Sequence, residues 1–136
     1  MKLYHYSNNE NILKEGLLSY IKHEDTELIN YLIGLYDDDL YDRNNCVFLT
    51  FDKRDLGEIL VSVDTELLNK DLLLVADQEI ANDIFSNYYR GNDVEELVKK
   101  YTKSIVPFND YKGEYENPEI LYQDDIPSSF LIIEEV

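Results

Sequence analysis

The chain has 136 residues, 29 acidic against 12 basic, and a net charge of −17. Its length suits one domain, and its 44% hydrophobic content is enough for a core without disulfide or metal staples, which excludes global disorder. The longest apolar runs, Leu72 to Ala76 and Phe130 to Ile133, fall far short of the ~20 residues of a membrane-spanning helix. One cysteine, Cys46, and two histidines leave no intramolecular disulfide, no thiolate zinc site and no expected metal. Met1 to His5 lacks the apolar stretch and small-residue cleavage site of a secretory leader, so the expected location is the cytoplasm.

Leu3 to Tyr6 reads as a first strand. Ser7-Asn8-Asn9-Glu10 has the Ser-x-x-Glu spacing of a capping box, which predicts a helix starting there, with Ile12 and Leu13 as its apolar face. Gly16 before Leu17 and Leu18 fits a chain leaving that helix through a left-handed position. Leu28, Tyr31, Leu32 and Leu35 recur at helical spacing and predict a helix over 24–36 with that stripe inward. Asp37-Asp38-Asp39 with Asp42 reads as a solvated loop; its alternative is a site for a hard cation with oxygen ligands.

Cys46 to Phe51, Ile59 to Val63 and Leu72 to Ala76 are short apolar runs rich in β-branched or aromatic residues, the signature of buried strands. Asp64 to Leu68 reads as one helical turn and Gln78 to Tyr88 as a helix. Val94, Leu97, Val98 and Tyr101 form the stripe of a further helix, with Asn92 as its N-cap. Pro107 to Pro118 is turn-like, Glu119 to Tyr122 leads out of it, and Ser129 to Glu134 is a terminal strand. Strands scattered among helices without regular alternation predict a single α+β domain over residues 1–136. No glycine-rich phosphate loop is present.

Nucleic-acid affinity comes from Lys and Arg neutralising phosphates. This charge therefore disfavours direct DNA or RNA binding and favours a basic protein partner. It also permits a non-catalytic role, an inhibitor whose carboxylates stand where phosphates would and occupy a partner's nucleic-acid-binding site.

Three segments carry a pattern: Leu3-Tyr4-His5-Tyr6-Ser7 with the following helix and Gly16-Leu17, then Val47-Phe48-Leu49-Thr50, then Asn117-Pro118-Glu119-Ile120-Leu121. Together they resemble the ADP-ribosyltransferase superfamily, in the branch marked by a His-Tyr-Glu triad. The resemblance implies a split β-sheet flanked by short helices, with NAD as substrate; the net charge, which disfavours polyanions, favours an acceptor on a protein, and a small acidic transferase of this kind suits a phage or toxin-like effector. By resemblance, Glu119 is the catalytic carboxylate, and His5 contacts the ribose and orients the nicotinamide. Tyr6, Ser7, Phe48 and Thr50 join His5 in the NAD-binding set. Phe48 stands where the family has Tyr and keeps the stacking face without the hydroxyl. On a strand, His5 and Ser7 share one side while Tyr4 and Tyr6 take the other. Arg54 is the expected counter-charge for the pyrophosphate, with Arg43 and Arg90 behind it. Asn117 takes the place of the Glu or Gln that arginine-modifying relatives carry two residues before the catalytic Glu, so the acceptor stays open.

Overall fold

The computed structural model describes residues 1–19, 24–36, 46–53 and 57–134. The Asp37 to Asp42 run, His23, Arg43 and Arg54 lie outside them. The chain is α+β: the described residues form seven strands in two antiparallel sheets and four α-helices. Strands β1 (Lys2–Ser7), β3 (Ile59–Asp64) and β7 (Ile132–Glu134) form a sheet in the order β1-β3-β7. Strands β2 (Val47–Leu49), β4 (Leu73–Asp77), β5 (Val106–Pro107) and β6 (Pro118–Tyr122) form the other in the order β2-β6-β4-β5. The helices are α1 (Ile12–Glu15), α2 (Glu24–Tyr36), α3 (Gln78–Tyr89) and α4 (Glu95–Ser104). No helix among the described residues is long and apolar enough to cross a membrane.

Strand alternation divides the core in two. One set of side chains on the four-stranded sheet, Val47, Leu49, Leu73, Val75 and Ile120, meets Leu3, Val61 and Val63 of the other sheet. The alternate set, Leu74, Ala76 and Leu121, packs against Ile29, Leu32 and Ile33 of α2, Ala81 and Ile84 of α3, and Val98 and Tyr101 of α4. The short runs Ile59 to Val63 and Leu72 to Ala76 thus form strands as their composition predicts, each ending one residue later. The connection between them holds two 3₁₀ turns: Thr65–Leu67, capped by the Asp64 carboxylate, which accepts from the Glu66 N–H at 3.0 Å, and Lys70–Leu72, capped by Asn69.

Several details differ from expectation, and the run Cys46 to Phe51 is a strand only over Val47–Leu49. The helix predicted at Ser7 begins only at Ile12, because Ser7 is still paired with Ile59 in β1. Its hydroxyl accepts from the Asn9 N–H at 2.9 Å, and the Asn9 side chain accepts from the Asn11 N–H, so two local turns replace the capping box. Helix α2 has the predicted bounds but rotates by about one residue: Ile29, Leu32 and Ile33 are buried, whereas Tyr31 and Leu35 are 60% and 54% exposed. Two apolar stripes overlap on this helix, and packing selects the one without the bulky Tyr31. Asn92 does not cap α4; its amide donates to the Asn87 side chain, and Asp93 accepts from the Glu95 N–H at 2.9 Å. Finally, β7 starts at Ile132 because Ser128–Phe130 forms a 3₁₀ turn.

Gly16 matches its reading in kind. Its φ is +81°, and an added Cβ would overlap the carbonyl oxygen of Ile126. Gly16 lets α1 end against the 126–128 segment, where Leu17 and Ile126 exchange backbone hydrogen bonds of 2.9 and 2.8 Å.

Candidate active site

The two sheets meet at one point. Strand β2 runs antiparallel to β6 with Val47, Phe48 and Leu49 opposite Tyr122, Leu121 and Ile120. One more step in that register would set Thr50 opposite Glu119. Instead, Thr50 exchanges two 2.9 Å backbone hydrogen bonds with Tyr4 of β1. The strand has changed sheets, and the two layers part beside Glu119.

A cleft of about 430 Å³ occupies this parting, lined by Tyr4, His5 and Tyr6 of β1, Phe48, Leu49 and Thr50, the first helical turns of α3 through Gln78 and Asn82, and Asn117, Pro118 and Glu119. Three segments that are far apart in the chain thus contribute His5, Phe48 and Glu119 to one cavity. Glu119 shares the helix-facing parity of Leu121 and lies opposite Ala76. Where the helices stop covering the sheet, this row of side chains passes from core to cleft.

His5 is oriented by the backbone of β2. Its Nδ1 lies 2.7 Å from the Phe48 carbonyl oxygen; a carbonyl only accepts, so Nδ1 carries the proton and donates. The same contact ties β1 to the aromatic residue of the second segment. Thr50 donates its hydroxyl to the Asp52 carbonyl at 2.9 Å, and the Tyr6 hydroxyl donates to that carbonyl at 3.0 Å, which fixes the turn after β2.

The other expected site residues are placed differently. Ser7 is absent from this lining. It belongs with His5, Ile12, Leu17 and Phe48 to an adjacent pocket of about 110 Å³, so the shared side of His5 and Ser7 holds there, while Tyr4 and Tyr6 also reach the larger cleft. Arg90 follows α3, whose 12 residues set it about 18 Å from the cleft end of the helix. Among the described residues no lysine or arginine lines the cleft. A cation the sequence reading passed over, Lys53, has its Nζ 5.9 Å from the centroid of the Tyr4 ring and 3.4 Å from Glu134.

Gln78 and Asn82 were also not anticipated. They stand one turn apart at the start of α3, and the Gln78 amide N–H donates to the Asn82 side chain at 3.0 Å. The Gln78 Oε1 is buried without a donor, a burden of about 1–3 kcal/mol of the kind that native proteins concentrate at working sites. The only advance signal is two amides at i and i+4 at the start of a helix.

Among the described residues no group of three or more His, Cys, Asp and Glu is placed to hold a metal ion. No protein-family model, curated protein or solved structure matches the chain. Chemically, the cleft offers one carboxylate, one oriented imidazole, the aromatic side chains of Tyr4, Tyr6 and Phe48, and the neutral amides of Gln78, Asn82 and Asn117.

Proposed function

We propose that the chain is an NAD-dependent mono-ADP-ribosyltransferase that modifies a protein. The observation that supports this reading is the shared cleft of His5, Phe48 and Glu119. The nicotinamide ring stacks on Phe48, and His5 contacts the ribose. As the nicotinamide–ribose bond breaks, nicotinamide leaves with the bonding electron pair and positive charge develops on the sugar. The Glu119 carboxylate stabilises that charge more in the transition state than in the ground state. A nucleophile of the acceptor then forms the new bond to the same ribose carbon and gives up its proton to water. Phe48 has no hydroxyl, so it stacks and does not donate. The pyrophosphate needs a cation, and among the described residues Lys53, beside the Tyr4 ring, is the candidate; Arg54, the cation the sequence suggests, lies outside the described residues.

The test is nicotinamide release and transfer of labelled ADP-ribose, comparing wild type with Glu119→Gln. Loss of an electrostatic stabiliser of this kind lowers turnover by about 10²–10³-fold. Equal rates would reject the assignment of Glu119.

A second reading rests on charge. With −17 overall and no basic side chain in the described cleft lining, the domain is instead a non-catalytic inhibitor that occupies a basic, nucleic-acid-binding partner. Calorimetry separates the two. NAD binding favours the transferase, whereas a flat NAD titration together with capture of a nucleic-acid-binding protein that weakens steeply with salt favours the inhibitor.

A further inference from the structure

The loop that leads into β6 builds a second concavity. Phe51, just past β2, stacks with Phe108 at 6.0 Å between ring centroids and 28° between planes, and with Tyr111 at 5.8 Å and 16°. The Tyr111 hydroxyl accepts from the Tyr115 N–H at 3.1 Å, and the Tyr115 hydroxyl donates to the Ser104 carbonyl at the end of α4 at 2.6 Å. The rings are therefore fixed by backbone anchors. They line a groove of about 430 Å³ together with Met1, Asp52 and Glu116, all exposed; among the described residues no lysine or arginine lines it, and the Met1 ammonium at its edge lies 3.5 Å from the Asp64 carboxylate. Pro118 borders both this groove and the cleft of His5 and Glu119, so the start of β6 is the wall between them.

Near-parallel aromatic rings beside two carboxylates select for a particular occupant. An anion is repelled by Asp52, Glu116 and the net charge. An aliphatic side chain would cover ring surface but leave both carboxylates without a counter-charge. A guanidinium satisfies both demands: it is planar, weakly hydrated and always charged, stacks on ring faces and pairs with carboxylates. An ammonium is compact and strongly hydrated and meets only the second.

We infer that this groove binds an arginine side chain of the protein acceptor, an anchor that flanks the residue to be modified and holds it next to Glu119. The acceptor role rests on the transferase reading; the arginine preference is read from the groove itself. The substrate class is thus a basic segment with arginine a few residues from the acceptor.

The chain has no tryptophan, so a short peptide carrying one arginine and one tryptophan reports its own binding by fluorescence, titrated without NAD. The expected result is binding that the pair Asp52→Asn and Glu116→Gln weakens about tenfold. The pair Glu10→Gln and Glu15→Gln, the same charge change at exposed sites of the α1 region, moves it less than about twofold. Replacing the peptide arginine by lysine weakens binding about threefold or more, and Phe108→Leu, which keeps apolar volume but removes a ring, weakens it similarly. The inference is overturned if a peptide with norleucine for arginine binds as tightly, if both charge pairs weaken binding equally, if no binding occurs, or if a second copy of the chain occupies the groove as a dimer the peptide does not dissociate. Peptide binding without nicotinamide release refutes the transferase reading and leaves the arginine site standing; nicotinamide release with indifference to the peptide refutes the site alone.

Discussion

The two ends of β6 share one strand and do different work. At its closed end, Ile120, Leu121 and Tyr122 pair with β2 on one side and β4 on the other. All three are buried, and the Tyr122 hydroxyl accepts from the Asn69 N–H at 3.1 Å. At its open end, Pro118 and Glu119 keep the β4 pairing, while Thr50 has left for Tyr4. One change of partner by one strand converts a sheet interior into a cavity wall. The lesson is that the candidate site is made where backbone pairing is given up, not where a loop is added.

This contrast breaks in opposite ways at its two ends. Leu121→Ala empties a fully buried position between sheet and helices and is expected to cost about 2–5 kcal/mol, read as a lower urea midpoint, with any loss of activity following the loss of folded protein. Glu119→Gln is half-exposed and nearly isosteric; its midpoint is expected to stay within about 0.5 kcal/mol of wild type while nicotinamide release falls. If both variants lose stability alike, the open end is part of the core and the contrast fails.

A smaller effect sharpens the same boundary from outside. Gly16→Ala forces a side chain into a backbone conformation that L residues rarely adopt and against Ile126 and Ser128. The expected cost is about 1–3 kcal/mol, read as a lower urea midpoint. On α2, Leu32→Ala is expected to cost about 2–5 kcal/mol, whereas Leu35→Ala stays within about 0.5 kcal/mol. Similar losses from both would return the helix to the stripe the sequence first suggests.

That stripe shows where sequence reading runs out. The stripe Val94, Val98, Tyr101 allows one buried face, and the fold uses it. On α2, Leu28-Tyr31-Leu32-Leu35 and Ile29-Leu32-Ile33-Tyr36 satisfy helical spacing equally, and only the neighbours α4 and β4 decide between them. Ser7-x-x-Glu10 failed for a related reason: its first residue was already spoken for by Ile59. In the site, His5, Phe48 and Glu119 were legible as pattern residues, but their convergence depends on Thr50 switching sheets, a tertiary event with no local signature. Gln78 and Asn82 carry no charge and no motif, so nothing short of the fold draws attention to them.

The smallest predicted effect concerns the three-stranded sheet behind the cleft. Glu134 of β7 accepts from the Ser62 hydroxyl at 2.7 Å and from Lys2 at 2.9 Å, with Lys53 at 3.4 Å. The Ser62 hydrogen bond first, then the Lys2 and Lys53 contacts, hold its carboxyl down to about 2 from an ordinary 4.5. A carboxyl lowered by folding stabilises the fold while it is ionised: that stabilisation is complete above about 4.5 and is lost as pH falls through about 2. Glu134→Gln removes it at every pH. The difference in melting temperature between wild type and variant is therefore expected to be widest above pH 4.5 and to close toward pH 2. A difference independent of pH would mean that Glu134 serves through packing alone.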